Sequence, residues 1–487
     1  MMTVTVFSTA ERLLGFIYRI FLSRNLGSEA IGLYQVALSV VGLIMTLTSS
    51  GIPITVSRIM TKHSAENHEN LSFSTVTAGI ILSLALSLPV VAVFYFIPSI
   101  SGFIFTDDRC YEILKIILPG VVITSVYSVI RGFLWGKKYF LSYSLIEFTE
   151  ELIMLIAGVI LVSLSSSSDQ GILGAGKAVL LSYIFSFVTA SILYFVRGGK
   201  FKNPKGELKP LIASATPITI MRTATSLINT LIAIILPLRL VLGGMSQSLA
   251  MASYGELSGM SIPLIYIPST LIGSIALVLV PELSDNYYRH STITLKNNME
   301  KGVKSSVFIS ALIIPVFLSV GKELGFLVYG NLNAGIYVQK ACIIMLPMSI
   351  TMISTSMLNS LNLEKKTLAY YLIGAVFLIA CIYFLPKYLG VYSLVLGLFI
   401  SYVVTATCNL ILIRKTCKRP PEYSFFIIAS IFLIIPSAIL GYLLKGILVN
   451  FLPLWLTVII CSIIVIAFIY LLFKIFNLFS LREVFDK

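Results

Sequence analysis

The sequence contains little charge. Only 11% of its 487 residues are Asp, Glu, Lys or Arg, whereas 57% are hydrophobic and the mean hydropathy is +0.97. Soluble globular domains carry about 25% charged residues. The composition therefore excludes a soluble domain and is typical of a polytopic membrane protein.

Histidine and cysteine are also scarce. There are three His and six Cys, and they form neither a CxxC pair nor a His/Cys cluster. The sequence therefore predicts no metal site, no cofactor and no disulfide framework. It also lacks a Walker A sequence and a Gly-rich dinucleotide loop, which argues against ATP-driven transport within this chain.

The charge that is present is mostly positive, with a formal net charge of +14. The Lys and Arg residues gather in alternate short loops between apolar runs, which is how cytoplasmic loops are marked in membrane proteins. We interpret them as topology signals and predict no nucleic-acid partner. The pattern predicts a multi-pass protein of the cytoplasmic membrane with both termini in the cytoplasm.

Fourteen apolar runs are long enough to cross a bilayer, which takes about 20 residues each. They predict an all-α integral membrane protein with about 14 transmembrane helices in two six-helix lobes plus two extra C-terminal helices. The most basic loop, between the sixth and seventh runs, is the predicted boundary between the lobes. The predicted parts are the N-terminal lobe (1–196), the basic cytoplasmic linker (197–210), the C-terminal lobe (211–413), and the last two helices with a cytoplasmic tail (414–487).

Arginines interrupt the apolar runs. Arg12 and Arg19 are seven residues apart, which is two helical turns, so they share a face; Arg222 lies in the seventh run. An arginine near the bilayer centre costs about 2.5–3.5 kcal/mol on insertion scales. Either these side chains form a cationic pocket for an anionic cargo, since a guanidinium suits phosphate oxygens, or each pairs with a carboxylate such as Glu11.

Carboxylates cluster in the fifth run. Glu147 lies three and four residues before Glu150 and Glu151, so these groups stack on one helical face. Three interpretations stay open: an ion-coupling site for a proton or a cation, counter-ions for the arginines, or a solvated group at the cytoplasmic interface. Glu256, which opens the eighth run, is a weaker ion-coupling candidate that we expect at a wet outer rim.

Several aromatic residues fit an interfacial belt at least as well as a ligand-binding role. They are Tyr18, Tyr34, Trp135 and Trp455.

Five segments together carry a family resemblance. They are R-L-L-G-F-I-Y-R-I-F-L-S-R-N-L-G-x-E-x-I-G-L-Y-Q (12–35), G-I-P-I-T-V-S-R (51–58), R-G-F-L-W-G (131–136), P-I-T-I-M-R (217–222) and Y-G-E-L-S-G-M-S-I-P-L (254–264). The chain resembles the stage V sporulation protein B-like, polysaccharide-export-type members of the MOP superfamily (multidrug/oligosaccharidyl-lipid/polysaccharide flippases), relatives of the lipid II flippases. The resemblance implies a central cavity between two lobes, alternating access, and a groove on the last two helices for a lipid tail.

The same resemblance implies a cargo and the residues that hold it. The cargo would be an undecaprenyl-pyrophosphate-linked saccharide, with lipid II for cell-wall or spore-cortex peptidoglycan as the leading candidate. The resemblance implies that its pyrophosphate meets Arg12, Arg222, Arg19 and Arg58. The chain departs from the family pattern in the fifth run, at Ser142, Ile146, Glu147 and Met154. That run is thus more acidic than the family implies, which leaves the coupling ion open.

The sequence therefore predicts a transporter that does no chemistry on its cargo. Two alternatives are a MATE-type drug/cation antiporter and a membrane polyprenyl-sugar transferase. The predicted partners are the lipid-linked saccharide, membrane lipids and cell-wall synthases. Only ten residues precede Glu11, from which we expect either a start codon upstream of Met1 or a diverged paralogue.

Overall fold

A computed structural model describes residues 2–66, 68–97, 99, 101–289, 291–417 and 421–478. These residues form helices and connecting loops, without a strand. The helices of the first half are α1 (Met2–Ser49), α2 (Ile52–Ala65), α3 (Glu69–Phe96), α4 (Ser101–Ile104), α5 (Asp108–Gly136), α6 (Phe140–Ser163), α7 (Ser168–Val196), α8 (Leu208–Leu242) and α9 (Gln247–Tyr254). A π-helix (Gly255–Ser261) follows, then α10 (Ile262–Tyr266), α11 (Ser269–Tyr288), α12 (Thr292–Tyr329), α13 (Leu332–Ala341), α14 (Met345–Ser360), α15 (Glu364–Phe384), α16 (Pro386–Leu389), α17 (Tyr392–Thr416), α18 (Ser424–Leu448) and α19 (Leu454–Ile475).

The described helices confirm an all-α multi-pass membrane protein. Eleven helical segments are long and apolar enough to span a membrane, or twelve if the bent pair Gln247–Tyr266 and Ser269–Tyr288 is one span. The first, Val6–Ala65, has 60 residues; at about 1.5 Å per residue it is roughly three times as long as the hydrocarbon core is thick. The 24-residue helix α6 is not among the eleven, since it carries three glutamates. The 60-residue segment, the bent pair and α6 together account for the difference between this count and the fourteen predicted spans. The number fourteen stays a prediction.

Helix α1 contains a break at Gly27. The backbone there has φ 83° and ψ 177°, a conformation that glycine adopts without steric cost and other residues avoid. The break separates the stretch that holds Arg12 and Arg19 from the stretch that continues to Ser49.

Contacts divide the chain into two compact units. Unit 1 comprises Met1–Val241 and Met245–Gly255, and unit 2 comprises Leu242–Gly244 and Glu256–Lys487. Helices α1 to α9 thus lie in unit 1, while α10 to α19 lie in unit 2. The predicted lobe boundary at 197–210 stays a prediction, and residues 479–487 of the predicted tail lie outside the described residues.

The segment predicted as a linker, 197–210, is fastened to unit 1. The Tyr194 hydroxyl donates to the carbonyl of Lys200 at 2.7 Å. Thr75 Oγ1 donates to Glu207 Oε2 at 2.9 Å, and His63 Nε2 lies 3.2 Å from the same oxygen. Since Glu207 is also buried, this segment is held by specific side-chain contacts.

One end of unit 1 is closed by a polar cluster. Arg109 donates to Asp107 at 2.8 Å and also contacts Glu29. Ser248, at the start of α9, donates to the second oxygen of Glu29 at 2.6 Å, and Gln247 donates to the carbonyl of Thr106 at 2.6 Å. These bonds join α1, α5 and α9.

Helices α1 and α9 approach each other at Gly32, and the approach leaves no room for a side chain. An ideal Cβ on Gly32 would lie 2.0 Å from the carbonyl oxygen of Met251, whereas a Cβ on Gly42 would meet nothing within 4 Å. We expect Gly32→Ala to lower the free energy of unfolding by about 1–3 kcal/mol through overpacking. Gly42→Ala should leave it unchanged or raise it, because Ala favours helix. Equal unfolding midpoints for the two variants in detergent would contradict the close approach.

Candidate functional site

The two arginines of α1 lie beside carboxylates. Arg12 is exposed and Arg19 is half-buried. Glu11 interacts electrostatically with Arg12, Glu147 and Glu151, and Glu151 interacts with Arg19. The structure therefore places counter-ions next to both cations and also leaves Arg12 accessible.

The other two predicted arginines connect α8 with α2 and with the turn that precedes α2. Arg58 Nη2 donates to Ser214 Oγ at 2.9 Å, and Arg222 Nη1 donates to the carbonyl of Ser50 at 3.3 Å. Both side chains are nevertheless exposed, so each guanidinium keeps further N–H groups for a ligand. The four predicted arginines thus all lie in unit 1, as one pair beside carboxylates and one pair where α8 meets α2 and the turn before it.

Close packing positions the second pair. The end of α1 and the start of α2 meet at Gly51, where a Cβ would lie 2.4 Å from both the Ala215 carbonyl oxygen and Thr219 Oγ1 of α8. Glycine is therefore required for α8 to come this near. Arg222, two turns after Ala215, reaches Ser50 for the same reason.

The three glutamates of α6 face different neighbours. Arg131 Nη1 donates to Glu147 Oε1 at 3.1 Å, and the Tyr143 hydroxyl donates to the other oxygen of Glu147. Glu150 lies near Ser186 of α7, whose hydroxyl donates to the carbonyl of Tyr183 at 3.2 Å. Glu151 faces α1, where its Oε1 would lie 2.7 Å from a Cβ on Gly15.

These contacts bear on the three interpretations of the acidic run. Glu147, Glu150 and Glu151 are all half-buried, which does not fit a freely solvated group. Glu147 has a counter-ion, but it is Arg131, which is not one of the four predicted site arginines. The signal for Arg131 was its position inside the R-G-F-L-W-G segment, which continues the α5 helix rather than leaving it.

Glu256 is not at a wet rim, and that expectation was wrong. Its side chain is buried, with 5% exposure, and it accepts hydrogen bonds from Asn331 Nδ2 at 3.0 Å and Asn333 Nδ2 at 3.3 Å. Burial is possible because the two amides replace water around the carboxylate. Its role in ion coupling stays a prediction.

Tyr18 and Tyr34 are not interfacial either. Their exposures are 3% and 8%, and an aromatic belt residue would keep its hydroxyl wet. The structure instead places Tyr18 against α6, where a Cβ on Gly158 would lie 2.4 Å from the Tyr18 hydroxyl. The sequence pattern did not predict that these two tyrosines lie near Glu151.

Comparison with known proteins identifies the group to which these features belong. The model of the family described as "Polysaccharide biosynthesis protein" matches residues 2–287, which is more than half of the chain. The chain belongs to the polysaccharide biosynthesis protein family. Among individual relatives, stage V sporulation protein B of Bacillus subtilis (strain 168) is 24% identical over 456 residues, which cover 89% of this chain and 88% of the relative.

Solved structures show the fold of this family member. A lipid II flippase MurJ in an inward closed conformation is 13% identical with a TM-score of 0.75, and the match covers 98% of this chain and 100% of that one. An inward-facing MATE family multidrug resistance transporter of the MOP superfamily is 14% identical with a TM-score of 0.69, covering 82% and 93%. Both are named as a flippase or a transporter, and neither as an enzyme.

Proposed function

We propose that this chain is a flippase for an undecaprenyl-pyrophosphate-linked saccharide, with lipid II for cell-wall or spore-cortex peptidoglycan as the leading cargo. It would move the cargo across the cytoplasmic membrane by alternating access, with both termini in the cytoplasm. One observation carries this proposal. The side chains of Arg12, Arg58 and Arg222 are exposed on helices of unit 1, in a chain whose family and fold are those described above.

The chemistry of the cargo fits these side chains. A pyrophosphate carries several acceptor oxygens and a negative charge at every working pH, and a guanidinium is always charged and presents a planar donor fork. In a low-dielectric site, charges of opposite sign attract more strongly than in water. The residues that bind the pyrophosphate in this proposal are Arg12, Arg222, Arg19 and Arg58.

The alternatives fit less well. A drug/cation antiporter binds cationic cargo, which the exposed arginines would repel. A polyprenyl-sugar transferase needs catalytic carboxylates beside its substrate, but Glu147 is engaged by Arg131 and Glu256 by two asparagines. Membrane lipids are the surroundings of the cargo, and cell-wall synthases, which consume it on the outer side, are the candidate protein partners.

Selective binding of the diphosphate tests this function. We expect purified protein to bind lipid II at least about tenfold more tightly than undecaprenyl phosphate, since further charge-assisted hydrogen bonds contribute about 1.5–3 kcal/mol each. Native mass spectrometry with both lipids and a zwitterionic phospholipid gives the measurement. Equal occupancy by all three lipids would contradict a pyrophosphate site.

A further inference from the structure

The basic segment (197–210), which leads from the end of α7 into the start of α8, carries five exposed cations. They are Arg197, Lys200, Lys202, Lys205 and Lys209. Among the described residues, none of these five side chains forms an ion pair. The one carboxylate of the segment, Glu207, is buried and accepts a hydrogen bond from Thr75. The segment therefore has a surplus of four positive charges, five cations less one carboxylate.

Some cations near other helix ends are paired instead. Lys137 Nζ lies 3.3 Å from Glu69 Oε1 in unit 1, and Arg289 Nε donates to Asp285 Oδ1 at 2.8 Å in unit 2. Such a carboxylate neutralises the cation within the chain. The lysines of the basic segment have no carboxylate of this kind among the described residues, so their charge is available to an anion from outside the chain.

Hydrogen bonds to the backbone hold the basic segment without using these side chains. The N–H of Lys202 donates to Thr77 Oγ1 at 3.1 Å, and the carbonyl of Lys200 accepts from the Tyr194 hydroxyl at 2.7 Å. A backbone that is already ordered loses less conformational entropy when a ligand binds. The lysine side chains thus extend from a preorganised backbone.

An exposed apolar stripe on α7 leads to the basic segment. Ile184, Val188, Ile192 and Phe195 are spaced by four, four and three residues, so they share a helical face, and all four are exposed. Helix α7 is long and apolar enough to span a membrane, and an exposed apolar face of such a helix contacts lipid. Phe201 continues the stripe, because its ring centroid lies 5.6 Å from that of Phe195 and its side chain is 58% exposed. The lysines therefore lie where the lipid-facing surface of α7 ends.

This combination of charge and apolar surface fits an anionic phospholipid. Basic segments next to a membrane span attract anionic headgroups, and aromatic rings are enriched at the level of those headgroups. A soluble anion would use the lysines but not the stripe. A phospholipid would use both, because its phosphate can meet the lysines while its acyl chains lie along α7.

We propose that the basic segment and the adjoining stripe of α7 form a binding site for an anionic phospholipid of the surrounding membrane. Lys200, Lys202 and Lys205 would bind the phosphate, while Phe195 and Phe201 would pack against the upper part of the acyl chains. The site uses none of the arginines assigned to the cargo. A lipid bound there would fasten the basic segment to the surface of the bilayer.

Native mass spectrometry of the full chain tests this site with two phospholipids that have the same acyl chains, phosphatidylglycerol and phosphatidylcholine. We expect wild-type protein to bind phosphatidylglycerol more tightly. Lys202→Gln combined with Lys205→Gln should weaken that binding by about tenfold to thirtyfold, the equivalent of up to about 1 kcal/mol for each lysine. The same two changes should leave phosphatidylcholine binding unaltered.

Two further variants make the test specific. Lys365→Gln combined with Lys366→Gln removes two exposed cations at the start of α15, and this matched control should keep the wild-type affinity for phosphatidylglycerol. Lys202→Arg combined with Lys205→Arg keeps both charges and should keep the preference, which separates loss of charge from loss of folding.

Several results would overturn the site. They are equal wild-type binding of the two phospholipids, full phosphatidylglycerol binding after the two changes to Gln in the basic segment, and an equal loss in the α15 control. Displacement of phosphatidylglycerol by the same concentration of glycerol phosphate, which has the headgroup charge without acyl chains, would show a site for soluble anions and overturn the lipid assignment. Because only phospholipids and their headgroup are used, the outcome does not depend on the cargo.

Discussion

Arg12→Ala and Arg222→Ala should each weaken lipid II binding by about tenfold to a hundredfold. The loss corresponds to one or two charge-assisted hydrogen bonds to the pyrophosphate, at about 1.5–3 kcal/mol each. Combined, the two changes should reduce binding to the level of a zwitterionic phospholipid. Native mass spectrometry or a lipid-binding assay in nanodiscs measures the change.

The controls separate cargo binding from structural pairing. Arg289→Ala removes an exposed arginine whose contact is with Asp285 one turn earlier, and it should leave lipid II binding unchanged. Arg12→Lys keeps the charge but loses the donor fork, so its affinity should fall between wild type and Arg12→Ala. If Arg12→Ala lowers the melting temperature while the affinity of the folded protein is preserved, the arginine is a counter-ion for Glu11 and the cargo assignment is wrong.

The second large effect concerns the ion pair that holds α18 to α12 in unit 2. Lys445 Nζ lies 3.2 Å from Glu323 Oε1, with side-chain exposures of 14% and 17%, and Glu323 Oε2 is buried without a hydrogen-bond partner. Around this pair the two helices share an apolar cluster with Val320 and Cys461. Lys445→Met would leave the Glu323 carboxylate unpaired in apolar surroundings.

We expect Lys445→Met to lower the free energy of unfolding by about 3–5 kcal/mol, which is the usual cost of removing one partner of a buried pair. The double variant Glu323→Gln with Lys445→Met should recover most of that loss, since no charge remains to be desolvated. Lys474→Met, at an exposed position on α19, is the matched control and should have little effect. Unfolding in mixed micelles gives the values, and additive losses in the double variant would show that the two side chains do not interact.

The sequence was enough to predict the fold class, because apolar runs and alternating loop charge depend only on composition along the chain. It also placed Arg12, Arg19, Arg58 and Arg222 as the cations to examine. It could not assign partners, because those are set by which helix faces which. Arg131 illustrates the difficulty: its pairing with Glu147 needs the α5–α6 contact, which no spacing rule gives.

Local sequence patterns also did not predict which polar and aromatic side chains are buried. Glu256 looked like a rim residue because it begins an apolar run. Its carboxylate is instead hydrogen-bonded by Asn331, which precedes α13, and by Asn333 within α13, and these residues lie 75 and 77 positions later in the chain. Tyr18 looked interfacial because aromatic residues are enriched at membrane–water interfaces. Its burial depends on Gly158, whose missing side chain leaves room for the ring.

The composition of unit 1 has a consequence for how the protein is made. The end of unit 1 that holds the polar cluster is completed by Gln247 and Ser248, which bond to Thr106 and Glu29, and by Gly255, whose backbone packs on Gly32. During synthesis these residues leave the ribosome only after more than half of the chain has been inserted. Until then the Glu29 carboxylate has no α9 partner, so helices α1 to α8 are inserted before this end of unit 1 is complete. A nascent chain stopped before residue 247 should therefore be more sensitive to proteolysis than one stopped shortly after residue 255.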